Sequence, residues 1–194
     1  MLLVTPASVG ETGYARMARE GVIAPLLRGV GLPRDIAPAP ALRRLALASI
    51  IPAGSQATAL AALWGHGCGP PPTVIDVRCT AGTVAPAQTS RSGAGVVTHV
   101  ITAWPSHGSP PVAAPLAAAV DALVWSPLDL AVPTVLCAVD AGLLEVRDLR
   151  AASRDRDDTG LAQVERALEW RAQVAPPVRG VGQARLEPVM RRAS

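Results

Sequence analysis

The stretch from Pro111 to Arg154, PVAAPLAAAVDALVWSPLDLAVPTVLCAVDAGLLEVRDLRAASR, constrains the fold most. Its apolar residues recur at helical spacing between strong stops. Pro115 stands near the start of a stripe formed by Leu116, Val120, Leu123 and Val124. Ser126-Pro127 begins a second helix: serine can cap, and proline suits a first turn in which its missing N–H costs nothing. Asp129 sits where the positive end of the helix dipole favours it. Val132, Val135, Leu136 and Val139 then fall at three- and four-residue spacing on one face. Gly142 is the expected stop. Leu144 and Glu145 open a further short helix with Val146, Leu149 and Ala152 on its inner side. Consecutive helices of this kind can wrap a core of their own.

The material for that core is unusual. Of 194 residues 49% are hydrophobic, yet only 3% are aromatic and Phe is absent. The interior must therefore be built from Ala, Val and Leu, with the four Trp as its large pieces. Trp64, Trp125 and Trp170 are expected in the core. Asp121 and Asp140, each within an apolar helix, are expected as polar anchors bonded to backbone or to Arg.

The remaining segments read in order as follows. Thr5-Pro6 starts one helical turn that Gly10 ends, and Thr12 caps a second helix running to Gly21. Val22 to Leu32 is apolar, carries Pro25, Gly29 and Gly31, and reads as a hairpin with Pro25 on an edge strand. Arg34 to Pro40 is a linker by composition. Ala41 to Ile51 is a helix with Leu42, Leu45 and Ala46 inward and Arg43 and Arg44 outward. Ser55 caps a helix that ends at Gly65. Thr73 to Cys79 and Val96 to Trp104 read as strands of a small antiparallel sheet, with a flexible hairpin or loop between them. Arg154 to Asp158 is a charged turn. Leu161, Val164, Ala167 and Leu168 line another helix, Pro176-Pro177 stops it, and Gln183 to Arg192 forms a last short one.

Three pieces of the chain resemble the AbiEi-type antitoxins of high-GC bacteria. The segments APLAAAVDAL, VLCAVDAGLLEV and RDLRAAS follow the order and spacing of that family's middle region. Ser55 to Gly65 is similar to a family helix in the same place. LVTPASVGETGYARMAREGV and LLRGVG are similar to its N-terminal winged helix-turn-helix. The resemblance implies a non-enzymatic regulator with two jobs: repressing its own operon through operator DNA, and restraining a partner toxin of the nucleotidyltransferase type. It implies that Tyr14, Arg16 and Arg19 lie on the recognition-type helix, where such side chains meet the major groove. It places Arg28 on the wing, where phosphate contact is the expected task. The family's first helix lies ahead of Leu3, so the winged helix is expected to be partial. A protein-interaction module or a degenerate relative without DNA binding is the alternative.

The fold class expected is thus α+β, mostly helical. A partial winged helix-turn-helix covers 1–33, an α-rich domain with a small antiparallel sheet 41–175, and a tail with a short helix 176–194.

Other chemistries find little support. Some relatives continue into an endonuclease domain near VGQARLEPVM, but a metal-dependent nuclease needs several oxygen ligands that one helix does not supply. His66, Cys68, Cys79, His99 and His107 include no Cys or His pair at zinc spacing, so no metal and no cofactor is expected. There is no G-x-S-x-G elbow, phosphate-binding loop or dinucleotide fingerprint. Cys68, Cys79 and Cys137 are odd in number and widely spaced, which argues for a reducing, cytoplasmic setting. No apolar run reaches the ~20 residues of a membrane span. The formal charge is only +3, although all 18 basic residues are Arg, whose planar fork suits phosphate.

Overall fold

The computed structural model describes residues 2–80, 95–101, 110–154 and 159–174. The architecture is mixed α and β and mostly helical, as expected. The elements run α1 (Pro6–Val9), α2 (Glu11–Arg19), β1 (Ile23–Leu27), β2 (Val30–Pro33), α3 (Pro40–Ile50), β3 (Gln56–Ala57), α4 (Ala59–Gly65), β4 (Val74–Thr80), β5 (Gly95–Ile101), α5 (Pro115–Trp125), α6 (Leu128–Asp140), α7 (Val146–Ala152) and α8 (Thr159–Val174).

Glycine punctuation sets three helix ends. After α2, α4 and α6 the chain turns through Gly21, Gly67 and Gly142, all at positive φ. At each, the next amide reaches back to the helix: Val22 to the carbonyl of Met17, Cys68 to Leu63 and Leu143 to Ala138, all at 2.9 Å. This cap satisfies carbonyls the helix leaves open. Helix starts followed the sequence less closely. Ser126 does not cap α6; Pro127 takes that position and the Ser126 hydroxyl is buried without a hydrogen bond. Gly10, not Thr12, precedes α2. Ser55 does not cap α4 either. Gln56 and Ala57 form β3, and α4 begins after Thr58.

The sheet corrects the expectation of an antiparallel arrangement. β3 and β4 pair antiparallel, but β4 and β5 pair parallel, with Asp76 opposite Val97 and Arg78 opposite His99. The connecting residues, with the expected end of the second strand at Trp104, lie outside the described residues. So do the turn beyond Arg154, Pro176-Pro177 and the last helix from Gln183 to Arg192. β1 and β2 form a separate antiparallel ribbon, and Val4 bridges to Gly31 beside it.

One apolar cluster links these parts. Leu3, Leu26, Leu27, Val30 and Leu32 from the N-terminal segment join Leu47, Leu63, Trp64, Ile75, Val135, Leu149 and Val164. Trp64 is the large central piece, 1% exposed. Helix faces deviate in four places. In α3 Leu45 is exposed, while Ala46 and Leu47 are buried and Arg43 and Arg44 half-buried. Arg43 lies over the Trp64 ring at 5.4 Å, a cation–π placement that turns the long side chain inward. Val124 at the end of α5 and Ala152 at the end of α7 are exposed rather than inward. Trp170 is 62% exposed, not core.

Candidate functional site

Each residue expected to meet DNA is displayed by the N-terminal segment. α2 carries Glu11 in its first turn and Arg16 and Arg19 in its last, so its charges complement the helix dipole. Arg16 and Arg19 are exposed, and Tyr14 is half-buried. Burial pushes the Tyr14 phenol above its ordinary pKa. Arg16 is held by Glu20 one turn on, at 2.8 Å. The hairpin turn is Arg28-Gly29: Leu27 pairs with Val30, which leaves these residues at the tip with Gly29 at φ +75°. Arg28 is exposed there. The inward faces of β1 and β2 enter the common core, so the ribbon holds Arg28 outward on a fixed support.

Sequence reasoning missed Arg34, which it assigned to a linker. Its backbone N–H donates to the Val22 carbonyl at 3.1 Å. Its guanidinium lies only 2.8 Å from where a Cβ on Gly21 would stand. Arg34 therefore covers the C-terminal end of α2, just beyond Arg19. No local motif signals this, because β2 brings the two segments together.

A second group of polar side chains lies between the mixed sheet and α5. Asp121 is in the interior as expected, 7% exposed. The Thr58 hydroxyl donates to its Oδ2, and the Arg78 guanidinium approaches the same oxygen at 3.5 Å. Arg78 also donates through Nε to Gln56 at 2.8 Å, and Gln56 donates to the Pro110 carbonyl at 2.6 Å. One step along the sheet, the His99 Nε2–H donates to Asp76 at 2.8 Å. The His99 ring stacks on Trp125 with centroids 3.9 Å apart and planes 3° from parallel. Trp125 thus stands at the rim against a histidine rather than deep in the core. The alternation of β4 explains the placement: Ile75, Val77 and Cys79 are buried on one face, while Asp76 and Arg78 share the other with His99. Asp140, by contrast, is exposed at the end of α6 and pairs with Arg171 of α8 at 2.8 Å.

The remaining chemistry-bearing residues serve packing. The His66 Nε2–H donates to the Ala113 carbonyl at 2.7 Å, and Cys68 and Cys79 are buried. Among the described residues no group of three or more His, Cys, Asp or Glu is arranged to hold a metal ion. His107 lies outside them. No helix among the described residues is long and apolar enough to cross a membrane. No protein-family model matches the chain, and no curated protein is significantly similar to it.

Proposed function

We propose that the chain is a non-enzymatic, antitoxin-like regulator that binds operator DNA through its N-terminal helix and hairpin. The observation that carries this reading is the contrast within that segment. Leu26, Leu27, Val30 and Leu32 of its hairpin enter the common core, while Arg16 and Arg19 on α2 and Arg28 at the hairpin tip face solvent. A helix beside a two-stranded wing is the geometry with which winged helices address a groove and its phosphates. Tyr14, at the middle of α2, is the neighbouring polar contact. Repression of its own operon and restraint of a nucleotidyltransferase-type toxin are the two tasks that the AbiEi resemblance adds.

The test is a titration of the full chain against duplex DNA from upstream of its own reading frame, at several salt concentrations. A DNA-binding regulator gives a linear fall of log affinity with log salt, about 0.9 per phosphate neutralised. Replacing Arg16 and Arg19 together by Ala weakens binding and flattens the slope by about 2. An affinity that neither salt nor these substitutions change removes the site.

A protein-binding role is the second reading. It is favoured by apolar side chains left in solvent on the helical side: Val124 and Leu130, each 48% exposed, and Trp170. Retention of a protein partner by a chain with no salt-dependent DNA affinity would select it.

A further inference from the structure

We propose that the outer edge of β5 is a self-association surface, on which a second copy of this chain pairs its own β5 antiparallel, joining two three-stranded sheets into one. The two edges of the mixed sheet are finished differently. At one end β3 is closed by the chain itself. Val112 bridges to Ala57, the Ala57 N–H donates to the Pro111 carbonyl at 2.8 Å, and the Ala113 N–H donates to the Ala57 carbonyl at 2.9 Å. At the other end, among the described residues, β5 pairs with β4 alone. Such an edge keeps a row of backbone donors and acceptors that another strand can take up.

β5 lacks the devices that keep an edge from pairing. Gly95–Ile101 holds no Pro, Arg, Lys, Asp or Glu, and its register against β4 runs without a bulge. Its one ionisable side chain, His99, is already paired with Asp76. The strand is also poorly covered for a parallel one, which normally has packing on both faces. Val97 is 45% exposed on the face it shares with Asp76, and Val100 67% exposed on the other.

The order of residues along β5 selects a second copy as the occupant. Antiparallel pairing centred on Thr98 sets Thr98 opposite itself, Val96 opposite Val100, Val97 opposite His99 and Gly95 opposite Ile101. Branched side chains then meet branched side chains, the two threonines can bond across the axis, and no like charges meet. The smallest residue of the strand faces Ile101. The arrangement is two-fold and closed, and with β3 capped it stops at a dimer. The edge of 7 residues is about 20 Å long, a contact at the small end of protein interfaces, so the dimer is weak and concentration-dependent.

Sedimentation of the full chain between about 1 µM and 1 mM reads the association. The expected result is a weight-average mass that rises from one chain toward two and no further. Thr98→Asp sets two carboxylates opposite each other and raises the dissociation constant about fivefold or more. Circular dichroism and melting stay unchanged in that variant, because Thr98 is exposed. Thr98→Cys links to itself under mild oxidation, since directly opposite residues stand within disulfide range, and Val97→Cys does not. A chain that stays monomeric to about 1 mM, a dimer indifferent to Thr98→Asp, or growth beyond a dimer overturns the pairing. So does a monomer whose outward β5 amides are already protected from hydrogen exchange, which would put a different strand on this edge.

Discussion

The N-terminal helix and hairpin and the junction of the mixed sheet with α5 handle charge in opposite ways. In the first, the apolar residues of the hairpin are drawn inward and the arginines are left to water, with Arg16 held by Glu20 at the end of α2. In the second, Arg78, Asp121, Asp76 and His99 are withdrawn from water and satisfy one another across three elements. The same residue types thus have different consequences. A buried pair that loses one member leaves a costly unmatched charge, whereas an exposed arginine is nearly free of folding cost and available to a partner.

The largest effect should come from breaking the buried group. Asp121→Ala leaves the Arg78 charge, still bonded to Gln56, without its carboxylate and the Thr58 hydroxyl without its acceptor, and should lower stability by about 3–5 kcal/mol in urea titration. A loss below about 1 kcal/mol would mean that water already reaches the group, and the contrast between the regions would fall. Next is a cut in the core beneath the hairpin. Leu27, 5% exposed, joins the common cluster, so Leu27→Ala should cost about 2–5 kcal/mol. The segment should unfold in the same transition as Trp64 fluorescence. An earlier, separate melting of the N-terminal amides, seen by hydrogen exchange, would show two independent units instead.

A smaller, pH-dependent effect sharpens the same distinction. The Cys68 thiol rises from 9.0 to about 12 in the fold. A group that holds its proton more tightly when folded adds stability below its unfolded pKa and loses it as pH rises to the folded one. Stability should therefore fall between about pH 9 and 12, and Cys68→Val should remove part of that slope. Tyr14, also raised, acts with the same sign. A slope unchanged in Cys68→Val would place its source elsewhere.

The sequence made local features legible and long-range ones obscure, for physical reasons. Gly10, Gly21 and Gly142 marked helix ends because positive φ is costly for other residues there. The hairpin around Arg28-Gly29 could be read from its turn and apolar flanks. The inward face of α3 could not: ranking Leu45 above Arg43 ignores that Trp64 offers a π face to a guanidinium. The parallel pairing of β4 and β5 was hidden because alternation looks alike in either direction. Gln56 and Ala57 look helical in sequence because nothing nearby reveals that β4 will claim them. At the sites, Asp121 stood out as an acid within an apolar stripe. Its partners Thr58, Gln56 and Arg78, and the Asp76–His99–Trp125 group, came from segments joined only in three dimensions.

The smallest stability effect tests the exposed side of the contrast and is the most informative about function. Arg16 pairs with Glu20 at 69% side-chain exposure, and Arg19 stands in the same last turn. Water and salt screen such charges, so replacing both by Ala should cost less than about 1 kcal/mol, most of it from the helix dipole. Operator affinity should nonetheless drop, because phosphate contacts act through release of counterions rather than through the fold. Arg34→Ala offers a finer cut. Its guanidinium covers Gly21 at the end of α2, so on the same reasoning its loss should flatten the salt slope by about 0.9 with stability unchanged. Equal losses of stability and of DNA affinity in these variants would instead make the arginines structural, and the two regions would no longer differ in kind.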